Sequence, residues 1–436
     1  MAEIVLLANF MVSSFIAFIM FKAGRMAMSD PVFWYSVFHF FVFVFRPCFV
    51  VLYEYDFVYS YIGYYPDFYD HMFTIFVALV GYLSFCFGAG AASAGLKSVR
   101  SLSRGQVCDD VLNEKIVYYT MLLLMPMALF SVYKTIQGAS FDGSSSVVME
   151  RVKGMAINVN GNGYINEFRN VLPTIILMFY VATKRSLAAV FLLVGFLLYR
   201  MYVGHGRFNI VMLFFGLFLI EYYVFGKRLI NVRYVAVGIG VALIFSVLGE
   251  NRELIKSIFV DVEIVSHPVI EKRFLEGMDF ANFEYLTYIL GVVPDLSGTY
   301  HYGVQYLQLF TEPVPRVLWS EKPVGPPIEF YNLMDFGNWL GLTQSTIGDA
   351  WQNGGVFGVV ATMFLWGGIL THVFQKTISG SDYAKLIWIV IVPYFLQMFR
   401  DGGVVTIFKF MLFSTLPFVV YYLLKYFLMR GGYEAR

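Results

Sequence analysis

Charge is what this chain has least of. Asp, Glu, Lys and Arg together make up 14% of its 436 residues, and 31 basic against 30 acidic side chains leave a net charge of +1. With no basic excess there is no electrostatic footprint for nucleic acid. Cysteine is nearly as scarce. Of the three, Cys48 and Cys86 lie in apolar runs and Cys108 lies in a basic connecting loop. None falls in the polar stretch 250–353, so neither a disulfide framework nor a CxxC metal site can be built, and no metal is expected. A Walker motif and a GxGxxG in strand context are also missing, so no nucleotide cofactor is expected. There is no internal repeat of 20–50 residues and no low-complexity tract. The N-terminus lacks a basic n-region and a small-residue cleavage site, so the first apolar run is expected to stay in place as a span.

What is present is apolar surface: 58% of the residues are hydrophobic and 19% aromatic. A soluble domain could not hide this much. The apolar residues come in runs of about 17–25, the length of helix that crosses roughly 30 Å of hydrocarbon. The expected fold is an all-α polytopic membrane protein of about eleven spans in a lipid bilayer. The spans are Ala2–Phe21, Val32–Leu52, His71–Gly95, Ile116–Gln137, Phe168–Thr183, Leu187–Val203, Phe208–Phe225, Tyr234–Gly249, Val356–Phe374, Leu386–Phe399 and Val404–Phe427. Three regions follow: spans one to eight in 1–249, a large loop in 250–355, and spans nine to eleven in 356–436. Within the loop Tyr285–Val293 is apolar but too short to span, which fits a re-entrant or interfacial segment.

Orientation follows from Lys and Arg. Lys22 and Arg25, Lys97 with Arg100 and Arg104, Lys184 and Arg185, Lys227 with Arg228 and Arg233, and Lys376 with Lys385 fall in alternate loops, which should be cytoplasmic. The opposite side includes Glu54–Asp70, which has no Lys or Arg. The N-terminus then faces out, the C-terminus faces in, and the large loop lies outside, on the periplasmic face in a bacterium. Chemistry there needs a donor that arrives already activated, such as a glycan on a polyprenyl pyrophosphate.

Five places carry candidate chemistry. Arg200 precedes GHGRF at Gly204–Phe208. Arg200 and Arg207 would share a helix face, although Gly204 and Gly206 favour a break that exposes backbone N–H groups. With His205 they offer a phosphate site, against the plainer reading of snorkelling side chains. PVPRVLWSEKP at Pro313–Pro323 is stiffened by its prolines. Arg316 and Lys322 are candidate pyrophosphate ligands there and Trp319 a sugar-stacking face; the competing reading is an ordered loop with Trp319 in the headgroup zone. QSTIGDAWQNGG at Gln344–Gly355 places Asp349 before the ninth span, as a general base for a sugar hydroxyl or, more plainly, as a cap or a partner of an Arg. His301 in TYHYG and His205 are alternative bases, without metal-ligand spacing. Arg400 beside Asp401 either contacts the ligand or is neutralised by its neighbour. Arg46 and Lys409 fall at hydrocarbon depth, where a charge calls for a partner or a function; Arg46 lies close to the outer end, so snorkelling is the plainer reading there.

PVPRVLWSEKP and TIGDAWQNGGVFG (Thr346–Gly358), set in this ladder of spans with a late outer loop, resemble the Wzy-type O-antigen and oligosaccharide repeat-unit polymerases. The motif likeness covers about fifty residues, Glu312–Gly358; the common acid of the second motif is often Glu, where this chain has Asp349, one methylene shorter. The resemblance implies a membrane-embedded C-type glycosyltransferase of the bacterial inner membrane, acting in lipopolysaccharide or related polysaccharide biosynthesis. Donor and acceptor would both be undecaprenyl-pyrophosphate-linked oligosaccharides, with a flippase and a chain-length regulator as partners. It implies inverting, metal-free transfer of the growing chain to a new repeat unit, with the leaving pyrophosphate held by Arg207 and Arg316, then by Arg200, Arg252 and Arg400. The neighbouring readings are an O-antigen ligase, for which His301 would be the centre, and a lipid-linked oligosaccharide flippase.

Overall fold

The computed structural model describes residues 2–94, 101–139, 149–152, 155–158, 167–203, 208–227, 273, 276–278, 281–314, 318–319, 321–323 and 325–430. Among them the chain is overwhelmingly helical. Six helices are long and apolar enough to cross a membrane: Ala2–Lys22, Pro31–Leu52, Phe68–Ser93, Glu114–Ile136, Ser345–Ile378 and Val404–Leu428. A seventh span is possible by length if Asp382–Ile391 and Tyr394–Asp401, bent by 43° at their junction, count as one. Pro393 sits at that bend; it lacks an N–H and disrupts the helical ladder. Three expected spans are shorter apolar helices, Phe168–Ala182, Leu187–Arg200 and Asn209–Tyr223. The expected eighth, Tyr234–Gly249, lies outside the described residues. The all-helical expectation needs one addition, an antiparallel hairpin in which Met149–Val152 pairs with Met155–Asn158.

Local chemistry sets the helix starts. Asp30 accepts from the backbone N–H of Val32, with Pro31 opening the second span. Asp67 and Asp70 form a reciprocal capping box at the head of Phe68–Ser93. Ser381 caps Asp382–Ile391. The second span contains a π-helical turn, Phe40–Phe45, and Asn9 of the first helix donates to the Phe43 carbonyl there at 2.8 Å.

At the centre, Phe68–Ser93 and Ser345–Ile378 cross with their backbones nearly touching. A Cβ on Gly88 would stand 2.0 Å from the Phe364 carbonyl oxygen, and one on Gly367 would stand 2.0 Å from that of Phe85. Small residues give this closeness where lipid supplies no hydrophobic drive between helices. Aromatic side chains fill the layer beside it: Tyr35 lies 4.4 Å from Phe85 and 4.6 Å from Phe399, centroid to centroid.

Three basic residues in or beside the apolar helices have acidic partners among the described residues. Arg25 pairs with Asp30 at 2.8 Å and also donates to Ser93 and Thr371, tying the first connection to two other helices. Arg46, in the second span, meets Glu284, its Nε donating to Oε1 at 2.8 Å. Lys409 donates to Glu312 at 2.6 Å.

The apolar stretch Tyr285–Val293 forms most of a buried helix, Asn282–Val292. It packs against Ser345–Ile378 and Phe68–Ser93, so it is an internal element rather than an interfacial one. The acidic connection after the second span folds over the same region: Tyr61 donates to the Leu340 carbonyl, and Asn338 N–H donates to that of Ile62.

Candidate functional site

Ser345–Ile378 runs for 34 residues. An unbroken helix of that length would measure about 50 Å, well beyond the hydrocarbon thickness. It breaks at Gly354 (φ −178°, ψ 29°) and Gly355 (φ 58°, ψ −143°). Only glycine reaches the second conformation without strain. Space imposes the same choice, since a Cβ on Gly355 would lie 2.8 Å from the Tyr300 hydroxyl. The break falls where the sequence places the start of the ninth span, and it leaves Asp349 on the short half ahead of it.

The TYHYG segment docks onto this break. His301 N–H donates to the Gln352 carbonyl at 2.8 Å, and Gly303 N–H donates to Asn353 Oδ1 at 2.8 Å. Trp351 fixes the opposite side by donating to the Val293 carbonyl at 2.7 Å. These bonds bring His301 and Asp349, two of the sequence candidates, to one site.

Asp349 is 3% exposed. Its Oδ1 accepts from the Gln305 and Gln344 amides, each at 3.0 Å, and Oδ2 accepts from the Tyr306 hydroxyl at 2.7 Å. Tyr306 in turn accepts from Asn353 at 2.9 Å, and Gln352 donates to Gln344 at 2.7 Å. All three side chains bonded to the carboxylate are neutral. It is therefore neither a helix cap nor half of an ion pair in these contacts, the two plainer readings of its position. A carboxylate has about four acceptor sites, so the described residues leave one on Oδ2 untaken.

His301 is 6% exposed, and its ring stacks on Tyr331 at 4.0 Å with 13° between planes. Burial lowers the imidazole pKa to about 4, so the ring is neutral near pH 7. Its Nδ1 and the Tyr331 hydroxyl are both buried without a hydrogen-bond partner among the described residues. Burial first, and then the Asp349 carboxylate, push the Tyr331 phenol above its ordinary range; the same two causes act on Tyr306.

The remaining candidates are scattered. Arg400 pairs with Asp401 at 3.1 Å, yet its backbone carbonyl accepts from Asn282, which also holds Thr343 next to Gln344. The turn that follows its helix is pressed against the head of the broken helix, where a Cβ on Gly402 would lie 2.0 Å from the Ser345 carbonyl oxygen. Lys322 donates to the carbonyls of Glu312 and Val314, and the Glu312 carboxylate stands 3.7 Å away. Burial alone would raise the Glu312 pKa; Lys409 and Lys322 outweigh it and hold the group below its usual value. Lys322 thus braces the proline-rich loop. Trp319 is 38% exposed at the surface of that loop. Arg200 is buried against the Tyr199 ring, 5.7 Å from its centroid, within electrostatic reach of Arg169 and Glu167. His205, Arg207, Arg252 and Arg316 lie outside the described residues.

Sequence reasoning did not find Gln305, Tyr306 or Tyr331. Gln344 and Asn353 were inside the quoted motif without a role. Tyr306 lies 43 residues from Asp349, and no local spacing joins them. One cluster with metal-type ligands, Cys108, Asp109 and Asp110, lies elsewhere. Lys184 sits against both of its carboxylates, at 3.4 and 2.7 Å, which places a cation there already.

Comparison with protein-family models, with curated proteins and with solved structures returned no match.

Proposed function

We propose that this protein is a membrane glycosyltransferase that polymerises undecaprenyl-pyrophosphate-linked oligosaccharide repeat units on the periplasmic side of a bacterial inner membrane. The observation that carries the reading is Asp349: a buried carboxylate, held by Gln305, Gln344 and Tyr306, with one acceptor position left on Oδ2. Three neutral donors among the described residues fix its orientation, and a general base needs to be held so.

The terminal hydroxyl of the incoming repeat unit gives its proton to Asp349 Oδ2. The resulting oxygen nucleophile attacks the anomeric carbon of the growing chain. The new C–O bond forms as the bond to the diphosphate oxygen breaks, and undecaprenyl diphosphate leaves with the electron pair. Attack opposite the leaving group inverts the anomeric centre. Charge grows on the diphosphate during the step, so cations aimed there stabilise the transition state more than the ground state. Arg400 lies in the last turn of the helix Tyr394–Asp401, whose end packs beside the head of the broken helix. Arg200, Arg207, Arg252 and Arg316 are the other arginines this reading assigns to the leaving group.

Asp349→Asn keeps the shape and removes the base. Cells carrying it are expected to display single repeat units at the surface and no long chains. Long chains at wild-type level would remove Asp349 from the chemistry, and lipid-linked units stranded on the inner leaflet would point to transport instead.

A further inference from the structure

We propose that His301 and Tyr331 form a binding subsite for a neutral polyhydroxyl ring, the acceptor monosaccharide whose hydroxyl Asp349 deprotonates. The inference rests on the enzymatic reading of Asp349 and adds to it the residues that recognise the acceptor.

The two rings are stacked at 4.0 Å, and each carries a buried polar atom without a partner among the described residues, Nδ1 of His301 and the hydroxyl of Tyr331. Both residues are more than nine-tenths buried, at 6% and 8% exposure. Native proteins rarely leave such atoms orphaned, because each forfeits the hydrogen bonds it made in water. Two orphans on one stacked pair mark a place where a ligand completes the bonding. The pair is also fixed in relation to the base, since His301 N–H is bonded to the carbonyl of Gln352, three residues after Asp349.

The chemistry of the surroundings selects the ligand. The groups are two neutral rings, a phenol and an imidazole, joined by the Gln305, Gln344 and Asn353 amides around Asp349. A phosphate is disfavoured beside that carboxylate. A sugar fits, because its adjacent hydroxyls both donate and accept, matching a phenol that can do either and an imidazole nitrogen whose role follows its tautomer. The neighbouring residues, Tyr302 at 67% and Phe330 at 50% exposure, supply apolar faces at the rim of the same two segments.

Tyr331→Phe tests this sharply. The hydroxyl makes no hydrogen bond within the described protein, so a purely structural role predicts a variant as stable as the wild type or more so. His301→Phe keeps the stack and deletes both nitrogens. The full-length protein in detergent would be examined by saturation-transfer NMR with free glucose, galactose, N-acetylglucosamine and rhamnose, alongside thermal melting. At least one sugar is expected to receive saturation from the wild type, with its Kd weakened about tenfold in each variant at unchanged melting temperature. Equal binding in wild type and Tyr331→Phe overturns the subsite, as does absence of binding by all four sugars. If Asp349→Asn still extends chains while Tyr331→Phe loses sugar binding, the catalytic reading falls and the sugar site remains. If Asp349→Asn stops extension while Tyr331→Phe binds normally, the reverse holds.

Discussion

Tyr306 gives its hydroxyl proton to Asp349 Oδ2 at 2.7 Å and accepts the Asn353 amide at 2.9 Å, so a loop residue stands between two positions of the broken helix. The bond does two things at once. It satisfies a carboxylate oxygen that burial has stripped of water, and it locks the loop against the half-helix that carries the base. The contrast with Tyr331 is direct: one phenol is consumed within the protein and the other has its hydroxyl to offer.

Tyr306→Phe should therefore destabilise the fold where Tyr331→Phe does not. It leaves Oδ2 of Asp349 and the Asn353 amide each short of a partner, a cost of about 1–3 kcal/mol for a buried polar group. A lower melting temperature in detergent, together with reduced chain extension, is the expected result. A melting temperature equal to that of Tyr331→Phe would show that the bond contributes nothing.

Much of this arrangement was legible in the sequence. Apolar runs marked the long spans and ended the loop at residue 355, where the helix breaks at Gly354 and Gly355. Asp349 and His301 were visible as chemistry-bearing residues in a polar stretch. What could not be read was the company they keep. Tyr306 reaches Asp349 and Glu284 reaches Arg46 through tertiary contacts, the second across 238 positions, and neither hydropathy nor spacing records such pairs. Phe168–Ala182, Leu187–Arg200 and Asn209–Tyr223, read as spans by composition, are apolar helices shorter than the six that are long enough to cross a membrane.

The Arg46–Glu284 pair predicts a non-additive mutational result. Both side chains are almost fully enclosed, at 3% and 1% exposure. Removing one partner of a buried ion pair costs about 3–5 kcal/mol, whereas replacing both with apolar residues of similar volume is often neutral. Arg46→Met and Glu284→Leu should each lower the melting temperature and folded yield, and the double variant should recover most of the loss. Simple addition of the two effects in the double variant would show that the charges are not coupled. Chain extension measured on the same stable double variant would then separate a structural role for Arg46 from a direct part in the reaction.

His301 gives the protein a pH dependence whose sign follows from burial. In the unfolded chain its imidazole titrates near 6.5; in the fold burial lowers that value to about 4. Between these values the unfolded state binds more protons than the folded one, so stability rises with pH across the window. The contribution is fully retained above about pH 6.5, is lost progressively as pH falls toward about 4, and changes no further below that. Melting temperatures of the wild type and His301→Phe, equal near pH 7.5, should separate as the pH falls from about 6.5 toward about 4, the wild type losing stability that the variant keeps, because the variant lacks the group that resists protonation. Parallel curves across that range would mean that the imidazole titrates in the fold as it does in water, and so is not enclosed as the acceptor subsite requires.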